Sequence, residues 1–345
     1  MPSPNVRSTS QLAKHLGLSR WTISRALNKH PGVNAKTVER VQQAMRDLQF
    51  EPNPLARGLR GGRTGVIGIC VQELENHNLT TKISCLQKQL RDRQYRGVIE
   101  FTMGQPKIEE EVLRHFMALR VEGVVMMAPV QPSLSRSFEQ LRQHKIPVVA
   151  IDPADEAMPG AFAIDRRHAM ELAIGHLHDL GHRQFALLGI GENVPFGKTR
   201  LAGLDASLKK RGVNPKTHLH SFSEPGPVLA DYDYGWTLAE RFQVNHCQAT
   251  AIVALNDRIA FGAMRYFQQK GIELPRQLSI IGYDNMGFTG YCSPALTTLD
   301  AQVGELIDRA TDQLFAQISK EAAPAKTPTL IQPALIQRQS TARAP

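Results

Sequence analysis

Polar side chains of opposite charge stand where apolar runs of this sequence stop. Asp152 follows the run 148–151, Asn256 and Asp257 follow 251–255, Tyr283 and Asp284 follow 279–282, and Arg200 opens the amphipathic stretch 199–208. Carboxylates and a guanidinium that converge on one cleft suit bidentate hydrogen bonding to vicinal hydroxyls or to an acidic group. Asp257 reads as a cap for the helix that follows it, whereas Arg200, Asn256 and Asp284 read as ligand contacts. Phe196 and Trp236 are candidates for a stacking face or, equally, for the core.

Catalytic and metal signals are weaker. The stretch 189–199, GIGENVPFGKT, lies between a strand and a helix, as a phosphate loop does, yet five residues separate Gly191 from Gly197 where four are needed. Glu192 occupies the first glycine position, and Val194 breaks the GxGxxG alternative. His176 and His178 fall on opposite faces of one helix, and His182 follows Gly181 at its exit, a place suited to capping carbonyls. No GxSxG or HExxH occurs, and no nucleophile is paired with a base. Neither a metal nor a cofactor is expected.

The elements that must position these groups alternate between apolar strands and amphipathic helices from Thr64 onward, the texture of a parallel α/β sheet. Strands read at 66–71, 97–101, 124–127 and 147–151, with helices at 81–93 and 107–120. A second series begins at Ala163-Ile164, with helices at 166–180, 200–210 and 259–270 and strands at 185–189, 252–255 and 279–282. Two doubly wound halves imply two lobes with a cleft at the C-terminal ends of their strands.

The first sixty-three residues differ in kind. They hold eleven Lys and Arg against three acids, a surplus of eight out of the whole chain's nine. A short basic module on a nearly neutral body is the charge signature of a nucleic-acid reader. Thr9 and Ser10 offer a helix cap, Leu12, Ala13 and Leu16 form a stripe, Gly17 stops it, and Ser19 caps a second helix. Ile23, Ala26 and Leu27 turn inward and leave Arg20, Trp21, Thr22 and Arg25 outside, a helix-turn-helix whose second helix would enter the major groove. A third helix over 35–48 closes the small core. Pro52-Asn53-Pro54 then ends it, and the segment 55–60 is too short and too glycine-bearing to be helical alone, so it is expected to fold only on binding.

The stretches QLAKHLGLSRWTISRALN and HPGVNAKTVERVQQAMRDLQFEPNPLARGLRGGRTGVIGICV closely resemble the LacI/GalR family of bacterial transcription regulators, and the resemblance continues through nearly the whole chain. It implies a small all-α helix-turn-helix headpiece (1–51), a hinge helix and linker (52–63) and an α/β core (64–345) similar to periplasmic sugar-binding proteins. The expected division of that core is lobe 1 over about 64–160 plus 293–325 and lobe 2 over about 161–292 plus 326–345. The resemblance further implies that Ser19, Arg20, Trp21, Thr22, Ser24, Arg25, Asn28, Asn53, Ala56 and Leu59 meet double-stranded DNA, with Leu59 wedged into the minor groove at the centre of a near-palindromic operator. Asn76, Asp152, Phe196, Arg200, Asn256 and Asp284 then surround a small-molecule effector, expected to be a carbohydrate. Many relatives carry Asn-Pro-Phe-Phe after the first strand; here Asn76-His77-Asn78-Leu79 makes that wall more polar. The competing reading is a sugar- or nucleotide-metabolising α/β enzyme with an appended basic domain.

The remaining expectations concern setting and assembly. No apolar run of eighteen residues appears, the N-terminus lacks a secretory h-region, and the four cysteines are widely spaced, which points to a reducing cytoplasm. A homodimer is expected, with helix faces such as Leu86/Leu90 as its candidate surface. The ending IQRQSTARAP is too short and polar for the heptad seam of a tetramer.

Overall fold

The computed structural model describes residues 6, 8–27, 30, 32–50, 63–73, 77–129, 135–154, 158–224 and 231–345. Among the described residues, three helices make the head: α1 (Thr9–Leu16), α2 (Arg20–Leu27) and α3 (Ala35–Asp47). Ser8 caps α1 by accepting from the Gln11 N–H, one residue ahead of the expected Thr9/Ser10 cap. Gly17, at φ +63°, takes the left-handed turn that ends α1 and returns its N–H to the carbonyls of Ala13 and Lys14. The Ser19 hydroxyl then accepts from the Thr22 N–H at 3.0 Å and starts α2. Leu12, Ala13, Leu16, Ile23, Ala26, Val41, Ala44 and Phe50 form the shared core, and Arg40 ties α3 to the Leu16 carbonyl at 2.8 Å.

The body contains two six-stranded sheets. The first comprises β1 (Val66–Val71), β2 (Arg96–Phe101), β3 (Gly123–Met127), β4 (Val148–Ile151), β5 (Phe162–Ile164) and β11 (Thr329–Ile331), in the spatial order β11-β5-β4-β3-β1-β2, all parallel. The second comprises β6 (Phe185–Leu188), β7 (Leu219–Phe222), β8 (Ala251–Ala254), β9 (Ser279–Tyr283), β10 (Thr297–Asp300) and β12 (Ala334–Ile336), in the order β12-β10-β9-β8-β6-β7, with only β12 antiparallel to its neighbour. β1, β3, β6, β8 and β9 are buried along their whole length, as parallel strands covered on both faces must be.

Helices α4 (His77–Asp92), α5 (Pro106–Ala118) and α6 (Arg136–Gln143) accompany the first sheet. The second is accompanied by α7 (Arg166–Asp179), α8 (Gly197–Lys210), the single turn α9 (Pro215–His218), α10 (Tyr232–Val244) and α11 (Asp257–Gln269). The last helix, α12 (Val303–Ile318), returns to the first lobe, packs on α4, β4 and β5, and is clamped by Arg93–Asp312 and Gln89–Asp308 contacts of 2.5 Å. Leu86 and Leu90 are therefore spent inside the lobe, at most 1% exposed, and are not available as a dimer face.

The chain crosses between lobes three times: from β5 to α7, from β10 to α12, and from β11 to β12. This corrects the expected division of the core. Residues 162–164 belong to the first sheet because Phe162 pairs with Ile151, and 297–300 belong to the second because Thr297 pairs with Ile281. β11 returns to the first lobe alongside β5. Among the described residues, no helix is long and apolar enough to cross a membrane.

His182 caps the helix before it through its backbone N–H, which donates to the Leu177 carbonyl at 3.1 Å, and its side chain does something else. Its buried imidazole reaches Thr250 Oγ1 at 2.8 Å, Ser279 Oγ at 3.1 Å and the Ala342 carbonyl at 3.1 Å, joining two strands to the C-terminal segment. His176 bonds Thr341 of the same segment at 2.9 Å. Burial pushes both imidazoles below their ordinary range, so these histidines are neutral struts.

Candidate nucleic-acid interface and interlobe cleft

Helix α2 buries Ile23 and Ala26 and turns its N-terminal end outward. Trp21 is 66% exposed, far more than an indole retains without a partner to meet. The Arg25 guanidinium lies 4.2 Å from the Trp21 ring centroid, and its Nη2 sits 2.6 Å from His30 Nδ1, so Arg25 is braced on both sides. Ser19 and Thr22 share a hydroxyl contact of 2.8 Å. Arg20, at the first position of α2, is exposed and has no hydrogen bond or ion pair among the described residues. A helix end with one braced cation, one unengaged cation and an exposed indole suits base edges in a major groove. Ser24 is half-buried on the same helix. Asn28, Asn53, Ala56 and Leu59 lie outside the described residues.

The second site lies where the lobes face each other. Asp152 leaves the end of β4 with φ +48° and is 3% exposed. Its Oδ2 accepts from Lys82 of α4, and its Oδ1 pairs with Arg166 at 2.9 Å, at the start of α7 across the first crossing. Burial alone would raise the Asp152 carboxyl, but Arg166 and Lys82 outweigh it and hold the group far below the carboxylate range. The Arg166 guanidinium also covers the Phe196 ring at 3.7 Å. Phe196, at φ +57°, immediately precedes α8, whose first turn carries Arg200.

Arg200 is 7% exposed; it donates from Nη1 to the Pro195 carbonyl at 2.9 Å and lies 5.4 Å from the Tyr283 ring centroid. Burial and then the neighbouring Arg166 lower its pKa to about 10. Asp284 follows Tyr283 with φ +102°, and its Oδ1 accepts from Asn78 Nδ2 of the opposite lobe at 2.8 Å. Left-handed backbone at Asp152, Phe196 and Asp284 is costly for residues with a Cβ, and such strain concentrates at binding sites.

The expected residues Asp152, Phe196, Arg200 and Asp284 thus share one cleft, and Asn76 lies outside the described residues. Asn256 takes the cap expected of Asp257, and Asp257 serves neither as cap nor as a cleft group. Asn256 caps α11 by accepting from the Ile259 N–H at 2.9 Å. Asp257 is fully buried, and its oxygens accept from the Thr298 hydroxyl at 2.5 Å and the Met286 N–H at 2.7 Å. Burial pushes its pKa up to about 8. Trp236 packs edge-on against Tyr266 at 5.2 Å within the second lobe's core cluster and takes no part in the cleft.

Sequence reading missed Lys82, Arg166 and Asn78. A signal for Lys82 existed: it stands on the buried face of α4 that Leu79, Ile83, Leu86 and Leu90 make apolar, and a lysine in such a stripe needs a partner. The phosphate-loop resemblance dissolves into packing, since a Cβ at Gly197 would stand 1.8 Å from the Gly191 carbonyl oxygen. Those glycines let two backbone segments touch.

The same two modules emerge from comparison with known proteins. Residues 11–53 match the DNA-binding domain of bacterial regulatory proteins of the lacI family, and residues 174–341 match a periplasmic binding protein-like domain. The chain is 26% identical over 338 residues to the lactose operon repressor of Escherichia coli strain K12, covering 96% of this chain and 89% of that one. It is 28% identical over 326 residues to the transcriptional repressor PurR of Pasteurella multocida, covering 92% and 93%. Among solved structures, the lac repressor dimer bound to operator and the anti-inducer ONPF shares the fold with a TM-score of 0.83 at 23% identity, over 96% of this chain and 98% of that one. A three-helix head with an exposed helix end precedes a two-lobed body with a charged cleft, and the chain joins a DNA-binding domain of the lacI family of bacterial regulatory proteins to a periplasmic binding protein-like domain.

Proposed function

We propose that this regulator binds a near-palindromic operator as a homodimer and that a small molecule in the interlobe cleft sets its affinity for that DNA. The carrying observation is the cleft itself: Asp152–Arg166 and Asn78–Asp284 join opposite lobes through groups that a ligand would contact. A ligand that binds one lobe arrangement better than another shifts their equilibrium by that difference. The test is a DNA titration of the purified protein with candidate ligands; a ligand that binds the core without changing operator affinity would remove the cleft from the switch. The enzyme alternative loses its strongest feature with the glycines of 191–197, which serve packing.

The head and the assembly make three expectations measurable. Arg20→Ala should cost about 1–3 kcal/mol of operator binding and relax preference at one base pair in each half-site, because an arginine at that helix end reads guanine O6 and N7. Equal losses on operator and random DNA would reduce Arg20 to a phosphate contact. Binding-site selection from random DNA should return a two-fold symmetric sequence with an easily unstacked pyrimidine–purine step at its centre, where the two Leu59 side chains are proposed to wedge; a direct repeat would contradict the symmetry.

The dimer face is proposed on the second lobe. Tyr232, Phe261 and Phe288 cluster with ring centroids 5.2–6.2 Å apart, with Tyr232 42% exposed, and nearby Tyr291 is 92% exposed. Such a patch is apolar beyond the need of a lone chain. Phe261→Glu should yield monomers by light scattering and weaken operator binding; an unchanged dimer would place the interface elsewhere.

A further inference from the structure

Three cations are buried in the cleft, and among the described residues their counter-charges are uneven. Lys82, Arg166 and Arg200 are each at most 7% exposed. Asp152 serves two of them, Lys82 on one oxygen and Arg166 on the other. Asp284 is engaged by Asn78, and Asp257 behind it is occupied by Thr298 and Met286. Arg200 has no ion pair among the described residues. Its Nε is buried without a hydrogen-bond partner, and so is the hydroxyl of Tyr283, whose ring lies beside it. A second guanidinium, Arg166, is near enough to disfavour its charge, and Asp284 and Asp152 favour that charge without offsetting burial and Arg166. A buried unpaired cation beside a like charge is among the more costly arrangements in a protein interior, and it is relieved when an anion arrives.

We propose that the effector is a polyhydroxylated molecule carrying one anionic group, a carboxylate or a phosphate, which seats against Arg200 and Arg166 while its hydroxyls turn toward Asp284 and Asn78. This rests on the cleft being the effector site. A neutral ligand would displace water from Arg200 and return no charge. An anion makes charge-assisted bonds with the planar forks of two arginines, which match carboxylate and phosphate in geometry. The same arrangement argues against a flat neutral base stacked in the cleft, since the Arg166 guanidinium already covers one face of Phe196 at 3.7 Å.

The experiment uses the full chain in two steps. Inorganic phosphate should raise the melting temperature above that in chloride of equal ionic strength, and most of that shift should be lost in Arg200→Gln. Arg166→Lys, which keeps the charge and loses the fork, should retain part of it. Equal shifts in wild type and both variants overturn the proposal, since the anion would then bind elsewhere, and so does no shift at all. Matched pairs of one skeleton (glucose with gluconate and glucose 6-phosphate, galactose with galacturonate) are then titrated, and operator release is followed. The anionic member should bind at least tenfold tighter than its neutral partner, with affinity falling as salt rises. A neutral sugar that binds as well as its anionic partner and releases the operator overturns the anion proposal but leaves the cleft as effector site. Release that is undiminished in Arg200→Gln overturns the cleft reading as well.

Discussion

Arg200→Ala should leave operator binding without effector close to wild type and remove the response to effector. The guanidinium sits inside the second lobe's face of the cleft, remote in sequence from the head, and donates to the Pro195 carbonyl. Removing it deletes a buried cation that forms no ion pair among the described residues, so the apo protein is expected to lose little stability. The ligand, by contrast, loses the cation that lies between Tyr283 and Arg166. Coupling between effector and DNA is expected on the scale of about 1–3 kcal/mol, a five- to 150-fold change in operator affinity, and the variant should reduce that factor to near one. Fluorescence-anisotropy titrations of operator, with and without ligand, measure it. A variant that still responds fully would move the site away from Arg200, and one that no longer binds operator at all would make the residue structural.

Asp152→Asn should destabilise the body by about 3–5 kcal/mol, because it leaves Lys82 and Arg166 as buried cations without a counter-charge. The pH dependence follows from the direction of the Asp152 shift. Its folded-state pKa lies below the ordinary value near 3.8, so the stabilisation is complete above that value and is lost as pH falls further. Urea unfolding of wild type should therefore show a decline below about pH 4 that Asp152→Asn shares only in part. Adding Lys82→Met to Asp152→Asn should recover some of the loss, a coupling that a double-mutant cycle resolves. A cost for Asp152→Asn below about 1 kcal/mol would mean that water reaches the three groups and the pairing is not a buried one.

How far these features were legible in the sequence depended on whether the signal was local. Strand ends, glycine stops and the head's apolar stripes are set by neighbours in the chain, and β1, β3, β9 and the helices from Arg166 and Ala35 fall within a residue or two of expectation. Helices α10 and α12 went unread. Gln302 precedes α12 at φ +51° with no side-chain cap, so only the spacing of Leu306, Ile307, Ala310 and Leu314 marks the helix. Charge in the cleft was half legible. Asp152, Arg200 and Asp284 announce themselves as polar residues at strand ends or helix starts, whereas Lys82 resembles the solvated lysine of any amphipathic helix until Asp152 is placed seventy residues away beside it. Leu86 and Leu90 erred the other way. Their apolar face was visible, but α12, which covers it, lies more than two hundred residues further on.

The three crossings between the lobes also set a timetable for synthesis. The head is complete at Phe50, but the first sheet lacks its edge until β11 at 329–331, and the second lacks its own until β12 at 334–336. At about 5–20 residues per second, the ribosome takes roughly a quarter of a minute to a minute to travel between those points. For that interval each nascent chain carries a finished basic head on a body that cannot yet close either lobe, and so has neither the cleft proposed to hold effector nor the completed lobe proposed to pair with a second subunit.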